Sequence, residues 1–218
     1  MTGPDPIAEW SAAHERVCGL VEALSADALE RRVPACPDWT ARDLLAHMIG
    51  LGADVLAGDE PDDHHAGWTQ AQVEARRDRS GAELVAEWRA LAPDLVAWMA
   101  DHGSRPLNDV VIHEQDLRSA VDRPGARDTA GFALVRDRMA ERFGRSAPDG
   151  LALVGDTWRW GPLDAPTRLR ASDFDLGRAL TSRRTAQQLR SWTEAGDVAP
   201  YSDAFAGLGD LPAHALPE

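Results

Sequence analysis

The sequence contains no lysine: all 23 of its basic residues are arginine. Without lysine the chain has no side-chain amine for Schiff-base chemistry. Acidic residues number 36, so the formal net charge is −13 at pH 7. Because phosphate groups are bound by clusters of basic residues, a chain this acidic is predicted to bind neither nucleic acid nor an anionic membrane.

Cysteine is also scarce, with Cys18 and Cys36 as the two examples. Their spacing fits neither a zinc finger nor a CxxC motif, so we interpret both as reduced thiols. The N-terminus lacks the basic and apolar segments of a signal peptide, and no apolar run approaches the roughly 20 residues that span a bilayer. We therefore expect a cytoplasmic protein without a membrane partner, either a monomer or a homodimer.

Apolar residues recur at steps of three and four along most of the first 146 residues, which predicts amphipathic helices. One helix lies near the N-terminus, a second follows the N-cap Thr40, a third follows the N-cap Ser80, and a fourth ends near Val121. A further helix around Met139 lies behind these four. Pro93 falls inside the third periodic run, where we expect a kink or a break.

The pattern changes after the segment GRSAPDG at residues 144–150, which is typical of a linker. Short apolar runs on either side of Gly155 predict a β-hairpin, and a further strand and two helices follow it. We therefore predict an α+β fold that is predominantly α. Residues 1–146 would form a four-helix bundle and residues 147–218 a small α+β domain.

Side chains that can bind metals lie on the predicted helix that ends near Val121. Asp109, His113 and Asp116 are three or four residues apart, so they share one face of that helix. His47 lies on the inward stripe of another helix, and bundles build metal sites from facing helices. His47, Asp109 and His113 together would suit Zn²⁺, and also Ni²⁺, Fe²⁺ or Co²⁺. The alternative is a buried Asp–His ion pair beside an unrelated core histidine.

Several nearby residues are open to more than one interpretation. Asp116 is spaced to accept a hydrogen bond from a ligand imidazole. His14 lies in an apolar stripe, either as a core histidine or as a proton relay that faces a pocket. Glu114 is expected on the solvent side of its helix. Arg118 lies nearly opposite Asp109 on the helical wheel and is expected to contact a loop or a domain interface.

Stretches at residues 33–47, 109–118, 178–190 and 196–201 resemble a known family. They are similar to the mycothiol-dependent maleylpyruvate isomerases, within the DinB/YfiT-like superfamily of metal-binding four-helix bundles. The resemblance implies an up-down DinB-like bundle that holds a divalent metal on His47, Asp109 and His113. Zinc is the default, and nickel or another divalent ion is the alternative. The family has Glu where this chain has the shorter Asp109, which would bring the metal closer to that helix, weaken its binding, or require a water between Asp109 and the metal.

The resemblance also implies an activity, since mycothiol-dependent members isomerise maleylpyruvate and relatives transfer low-molecular-weight thiols. For this chain it implies a metal-dependent transferase or isomerase whose partners are mycothiol and a small electrophile. Arg183 and Arg184 would bind a substrate carboxylate. His14 would act as a proton relay if it reaches the pocket, and Asp116, the expected partner of a ligand imidazole, is the other candidate catalytic residue. Two alternatives stay open: a metal-binding stress or sensor module without turnover, and a hydrolase with Asp116 or Glu114 as base.

Overall fold

A computed structural model describes residues 3–61 and 65–218 of the chain. Helices predominate in these residues and two small β-sheets accompany them, so the predicted α+β, predominantly α class is confirmed. The chain divides into two compact units, Met1–Gly125 and Ala126–Pro217. Within the described residues, no helix is both long and apolar enough to cross a membrane.

The first unit is built on four long helices, each of which was predicted from the sequence. These are α1 (Pro6–Glu22), α3 (Ala41–Ala57), α5 (Gly81–His102) and α6 (Pro106–Val121). Shorter elements complete the unit: α2 (Ala26–Leu29), α4 (Ala66–Glu74), and the antiparallel strands β1 (Arg32–Val33) and β2 (Cys36–Thr40). Both α1 and α3 pack against α5 and α6. This mutual packing encloses the core of the unit.

Local chemistry determines where α3 and α5 begin. Thr40 and Ser80 each accept a hydrogen bond from the backbone N–H three residues later, and the carboxylates of Asp43 and Glu83 each accept one from the N-cap backbone N–H. These capping boxes satisfy N–H groups that have no partner inside the helix. The predicted N-caps are therefore confirmed.

Helix α5 continues through Pro93, so it does not break there, and the kink that was the other expectation remains a prediction. Trp88 and Leu95, on either side of the proline, are both buried. Their burial stabilises the helix and offsets the backbone hydrogen bond that proline cannot donate. Tertiary packing thus outweighs the tendency of the proline to interrupt the helix.

Helix α4 lies in a segment for which no element was predicted. Its buried residues are Gln72 and Val73, so it lacks the apolar stripe by which amphipathic helices are recognised. The helix packs on α3 at Gly50. A Cβ atom on Gly50 would lie 2.4 Å from the Cβ of Gln72, so glycine is needed there for the two helices to approach this closely.

The second unit contains a four-stranded sheet in the order β4–β3–β5–β6. Its strands are β3 (Leu151–Val154), β4 (Arg159–Trp160), β5 (Thr167–Arg170) and β6 (Thr193–Ala195). The predicted hairpin is the antiparallel pair of β3 and β4, while β5 is parallel to β3 and antiparallel to β6. The helices of this unit are α7 (Ala130–Ser146), α8 (Asp173–Leu180), α9 (Ala186–Ser191) and α10 (Ser202–Phe205), with a 3-10 turn at Ala199–Tyr201.

Helix α7, which the sequence analysis assigned to the N-terminal domain, belongs to the second unit. It packs against α8 and α10. The ring of Phe132 contacts Phe174, and the ring of Phe143 contacts Phe205. The units therefore divide after residue 125, whereas the sequence analysis placed the domain boundary after residue 146. A polar linker pattern marks a loop, but it does not show with which unit the preceding helix packs.

A buried ion cluster connects α1 and α6. Glu114, which was expected on the solvent side, is 1 % exposed. Arg16 on α1 donates two hydrogen bonds to it, at 2.9 and 2.8 Å, and Arg118 donates two more, at 3.1 and 3.0 Å. The prediction of a solvated Glu114 is therefore wrong, because two guanidinium groups replace the lost water. Arg118 also donates to the Arg123 carbonyl, the loop contact expected for it.

Glu114→Ala is expected to lower the free energy of unfolding of the first unit by about 3–5 kcal/mol, because two arginines would then face each other without their anion. The matched control is Glu22→Ala, at the exposed ion pair between Glu22 and Arg89. That change is expected to cost less than about 1 kcal/mol. Hydrogen exchange of the buried α1 and α6 amides measures both values. Equal costs for the two substitutions would contradict a stabilising role of the cluster.

Candidate metal centre

The three side chains predicted as metal ligands lie together between α3 and α6. His47 is in the interior of α3 and is 5 % exposed. Asp109 and His113 are one turn apart on α6, which packs against α3. The rings of His47 and His113 are 5.1 Å apart and nearly perpendicular, at 84°. The ring of Trp39 lies 5.0 Å from His47 on another side.

Both imidazoles direct Nε2 toward the same oxygen of Asp109. His47 Nε2 is 3.4 Å from Asp109 Oδ1, and His113 Nε2 is 3.5 Å from it. These separations exceed the usual N–H···O range of about 2.7–3.2 Å. They match the edge of a tetrahedron with metal–ligand bonds of about 2.1 Å, which is about 3.4 Å long. Since the three ligand atoms also lie within 4.8 Å of one another, the cluster suits a divalent cation.

The family has the longer Glu at the position of Asp109, so the shorter side chain was expected to affect how a metal is bound. In this structure its Oδ1 already lies at ligand spacing from the Nε2 atoms of His47 and His113. The side chain therefore reaches the histidines without the additional methylene group. Two imidazoles and one carboxylate are the donor set of many catalytic zinc sites.

The second nitrogen of each imidazole has its own hydrogen-bond partner. His47 Nδ1 is 2.7 Å from Gln72 Oε1 on α4, and His113 Nδ1 is 3.0 Å from Asp116 Oδ2. Such contacts orient metal-binding histidines and keep Nε2 available for the metal. The contact expected between Asp116 and a ligand imidazole is thus present. Gln72 was missed, because nothing in the pattern of its short, polar helix marks it as inward-facing.

The electrostatic environment of His47 favours a positive charge. Burial alone would lower the pKa of His47, but the close contact and charge of Asp109, the hydrogen bond of Gln72 and the charge of Asp54 together raise it above its ordinary value. A proton and a divalent cation would compete for the same nitrogen. The negative field that holds the proton is also the field that would attract a metal.

A second group of potential ligands shares His113 with the first. Ligand atoms of Cys36, His113 and Asp116 lie within 4.8 Å of one another. Here the 3.0 Å hydrogen bond already joins His113 Nδ1 to Asp116. A cation in this group would have to displace the proton between them, whereas the first group offers two Nε2 atoms.

His14 lies in the aromatic core of the first unit. Its ring stacks on Trp10 at 5.1 Å and meets the edge of Trp88 at 4.7 Å. Its Nε2 is 3.6 Å from Cys18 Sγ. Burial is the main cause that lowers the pKa of His14 and favours the neutral ring. These are the contacts of a core histidine, and the proton-relay role remains a prediction.

Arg183 and Arg184, the predicted carboxylate-binding pair, are both buried within the second unit. Arg184 donates two hydrogen bonds to Asp175, at 3.0 and 2.8 Å. Arg183 donates to the Thr181 carbonyl at 2.7 Å. These contacts hold the turn before α9, and substrate binding by either arginine remains a prediction.

Comparison with known proteins adds independent information. Residues 10–111, which include His47 and Asp109, match the family model "Mycothiol maleylpyruvate isomerase N-terminal domain". An uncharacterised protein of Mycobacterium tuberculosis strain H37Rv is 28 % identical over an alignment of 257 residues that covers 95 % of this chain and 98 % of that protein. An uncharacterised protein of strain CDC 1551 gives the same values.

Two solved structures share the fold. A crystal structure of mycothiol-dependent maleylpyruvate isomerase has a TM-score of 0.53 and 12 % identity, and the match covers 84 % of this chain and 92 % of that chain. A variant of that enzyme in which one histidine is replaced by alanine has a TM-score of 0.52 with the same identity and coverage. At this identity the likeness concerns the fold.

His47→Ala is expected to abolish stoichiometric binding of zinc, because it removes one of three ligands and leaves an incomplete donor set. Elemental analysis of the purified, zinc-loaded protein measures the metal content. The control is His102→Ala, which removes an exposed histidine that stacks on Trp98. Full zinc occupancy after His47→Ala would contradict the assigned ligands.

Zinc affinity is expected to fall as the pH decreases through the raised pKa of His47. Below that pKa the imidazole is protonated, so each bound ion must displace a proton, and affinity changes by about tenfold per pH unit for one proton. The groups that face this imidazole are Asp109 and His113 from α6, Gln72 from α4, and Asp54 on α3 itself. Chelator competition over a pH series measures the slope. An affinity independent of pH in this window would argue against His47 as a ligand.

Proposed function

We propose, from the match of residues 10–111 to the N-terminal domain of mycothiol maleylpyruvate isomerases, that the chain is a member of that family and a metal- and thiol-dependent enzyme. It uses mycothiol for the cis–trans isomerisation of a small electrophile, or for transfer of the thiol to it. The observation that carries the proposal is the convergence of two Nε2 atoms on one oxygen of Asp109 at 3.4 and 3.5 Å. We propose zinc as the metal, and the cytoplasm, where thiols stay reduced, as its location.

His47, Asp109 and His113 would hold the metal and leave at least one position for an external ligand, as in catalytic zinc sites. A divalent cation bound there lowers the pKa of a coordinated thiol, so that thiolate is available at neutral pH. Two neutral imidazoles and one carboxylate do not cancel the charge of the cation. The remaining positive charge would favour the anionic form of a thiol held beside these residues.

The remaining tasks fall to the side chains around the ligands. Asp116 holds the ring of His113 through Nδ1. The half-buried ring of Trp39, beside His47, offers an apolar surface to the bound thiol or to its reaction partner. The low exposure of His47 excludes water from its side of the centre, which strengthens electrostatic interactions there.

The proposed chemistry begins with a thiolate and a double bond conjugated to a carbonyl group. The sulfur forms a C–S bond, and the π electrons move onto the carbonyl oxygen. The former double bond is now single and rotates. Return of the electrons expels the thiolate, so the alkene leaves as its geometric isomer and the thiol is regenerated. In a transfer reaction the carbon next to the carbonyl group gains a proton instead, and the C–S bond remains.

The hydrolase alternative requires a carboxylate that is available as a base. Glu114 is held by Arg16 and Arg118, and Asp116 is bonded to His113. These contacts occupy both carboxylates named for that role. The alternative of a non-catalytic metal-binding module predicts the same ligands, and it differs from our proposal in having no turnover.

The zinc-loaded protein, incubated with mycothiol and a panel of unsaturated carbonyl compounds that includes maleylpyruvate, is expected to yield a geometric isomer or a thiol adduct. Mass spectrometry and ultraviolet absorbance detect these products. In the cobalt-substituted protein, mycothiol is expected to add a thiolate-to-cobalt charge-transfer band. His47→Ala should lose both signals and His102→Ala should keep them. Full metal occupancy with neither product nor band would favour the non-catalytic module.

A further inference from the structure

A chain of two hydrogen bonds leads away from the metal centre on the side opposite Asp109. His47 Nδ1 is 2.7 Å from Gln72 Oε1, and Gln72 Nε2 is 2.7 Å from Asp54 Oδ2. Gln72 is 3 % exposed, so both ends of its amide depend on protein partners. Asp54 lies seven residues after His47 on α3, two turns further along the same side of the helix.

The order of donors and acceptors in this chain follows from Asp54. An ionised carboxylate only accepts hydrogen bonds, so the amide of Gln72 must turn its NH₂ group toward Asp54. Its carbonyl oxygen then faces His47, and a carbonyl oxygen also only accepts. Nδ1 of His47 must therefore carry the proton. In a neutral imidazole that proton leaves Nε2 with its lone pair free, on the side of Asp109.

We propose that Gln72 and Asp54 are positioning residues, and that together they select the one tautomer of His47 that can bind a metal through Nε2. This inference rests on the proposed function, because it assigns both residues to the same metal centre. It also gives α4 a role, since this helix places Gln72 against Nδ1 of His47.

The packing of α4 supports this role. Gly50 provides the space in which the Cβ and Cγ of Gln72 lie, since a Cβ on Gly50 would be 2.4 and 2.7 Å from these atoms. Arg76 donates to the Gln72 carbonyl at 3.2 Å and to Glu87 on α5 at 3.0 Å. The backbone of Gln72 is thereby linked to α5 while its side chain faces α3. The helix thus buries a glutamine where an apolar residue would be expected, and the amide is bonded at both ends.

The tautomer of His47 can be measured directly in the metal-free protein. Long-range ¹H–¹⁵N correlation spectra, recorded above the pKa of His47, distinguish Nδ1–H from Nε2–H imidazoles, and the signal lost in His47→Ala assigns the resonance. The wild-type protein is expected to show His47 as the Nδ1–H tautomer. An Nε2–H tautomer in the wild type would overturn the proposal.

Two near-isosteric variants test whether Asp54 sets the order. In Asp54→Asn the new amide can donate or accept, so Gln72 is satisfied in either orientation and His47 is expected to show both tautomers. The combined change Asp54→Asn with Gln72→Glu exchanges the two functional groups and keeps the net charge. Its glutamate can only accept, so the Nδ1–H tautomer should return. Asp94→Asn, at an exposed aspartate on α5, controls for the loss of one charge.

Zinc affinity, measured by chelator competition, supplies the second readout. Gln72→Leu is expected to weaken binding by about 10- to 100-fold, the usual effect of removing a partner of a ligand histidine. Asp54→Asn should weaken it less, and the exchanged pair should restore it. An unchanged tautomer and affinity in Asp54→Asn, or no recovery in the exchanged pair, would refute the positioning role of Gln72 and Asp54.

Failure of this inference and failure of the proposed function give different results. If the wild type binds zinc and catalyses the thiol-dependent reaction, but His47 of the metal-free protein is the Nε2–H tautomer, the positioning role of Gln72 and Asp54 is refuted. The proposed function then stands. If the wild type binds no zinc, the proposed function fails, and with it the assignment of Gln72 and Asp54 to a metal centre.

Discussion

The first unit depends on the contact between α3 and α6, because that contact places His47 against Asp109 and His113. Two imidazole nitrogens meet one carboxylate oxygen at spacings that are long for a hydrogen bond and suitable for a metal. Burying such a group without a partner is unfavourable, so the surrounding structure must compensate for it. The hydrogen bonds of Gln72 and Asp116 to the second ring nitrogens of His47 and His113 meet that requirement.

Compensation takes different forms on the two sides of the centre. Behind His113 a single carboxylate, Asp116, accepts at Nδ1. Behind His47 a neutral amide, Gln72, makes the corresponding contact. A glutamine amide can present either its oxygen or its NH₂ group to a histidine nitrogen, whereas an ionised carboxylate can present only acceptor oxygens. In our proposal this difference gives Asp54 its role, because Asp54 fixes which end of the Gln72 amide faces His47.

The sequence allowed the candidate ligands to be picked out because they lie on regular helices. Asp109 and His113 are four residues apart, and His47 lies within an apolar stripe, so helical periodicity alone places them on inward faces. Glu114 was assigned wrongly because the helical wheel assumes one solvated face. Helix α6 instead packs against both α1 and α3, so its Glu114, Gln115 and Asp116 are buried in succession. Gln72 was missed because its helix has no stripe.

The sequence by itself determined the helical class and the capping boxes at Thr40 and Ser80, and it predicted three candidate metal ligands, since these depend on contacts within three or four residues or on one repeating period. Only the tertiary structure decided which unit α7 joins, that Arg16 and Arg118 bury Glu114, and that Gln72 lies behind His47. Each of these outcomes depends on a contact between elements distant in the chain. The periodicity of apolar residues along a helix does not predict such contacts, because they depend on which surfaces meet when the helices pack.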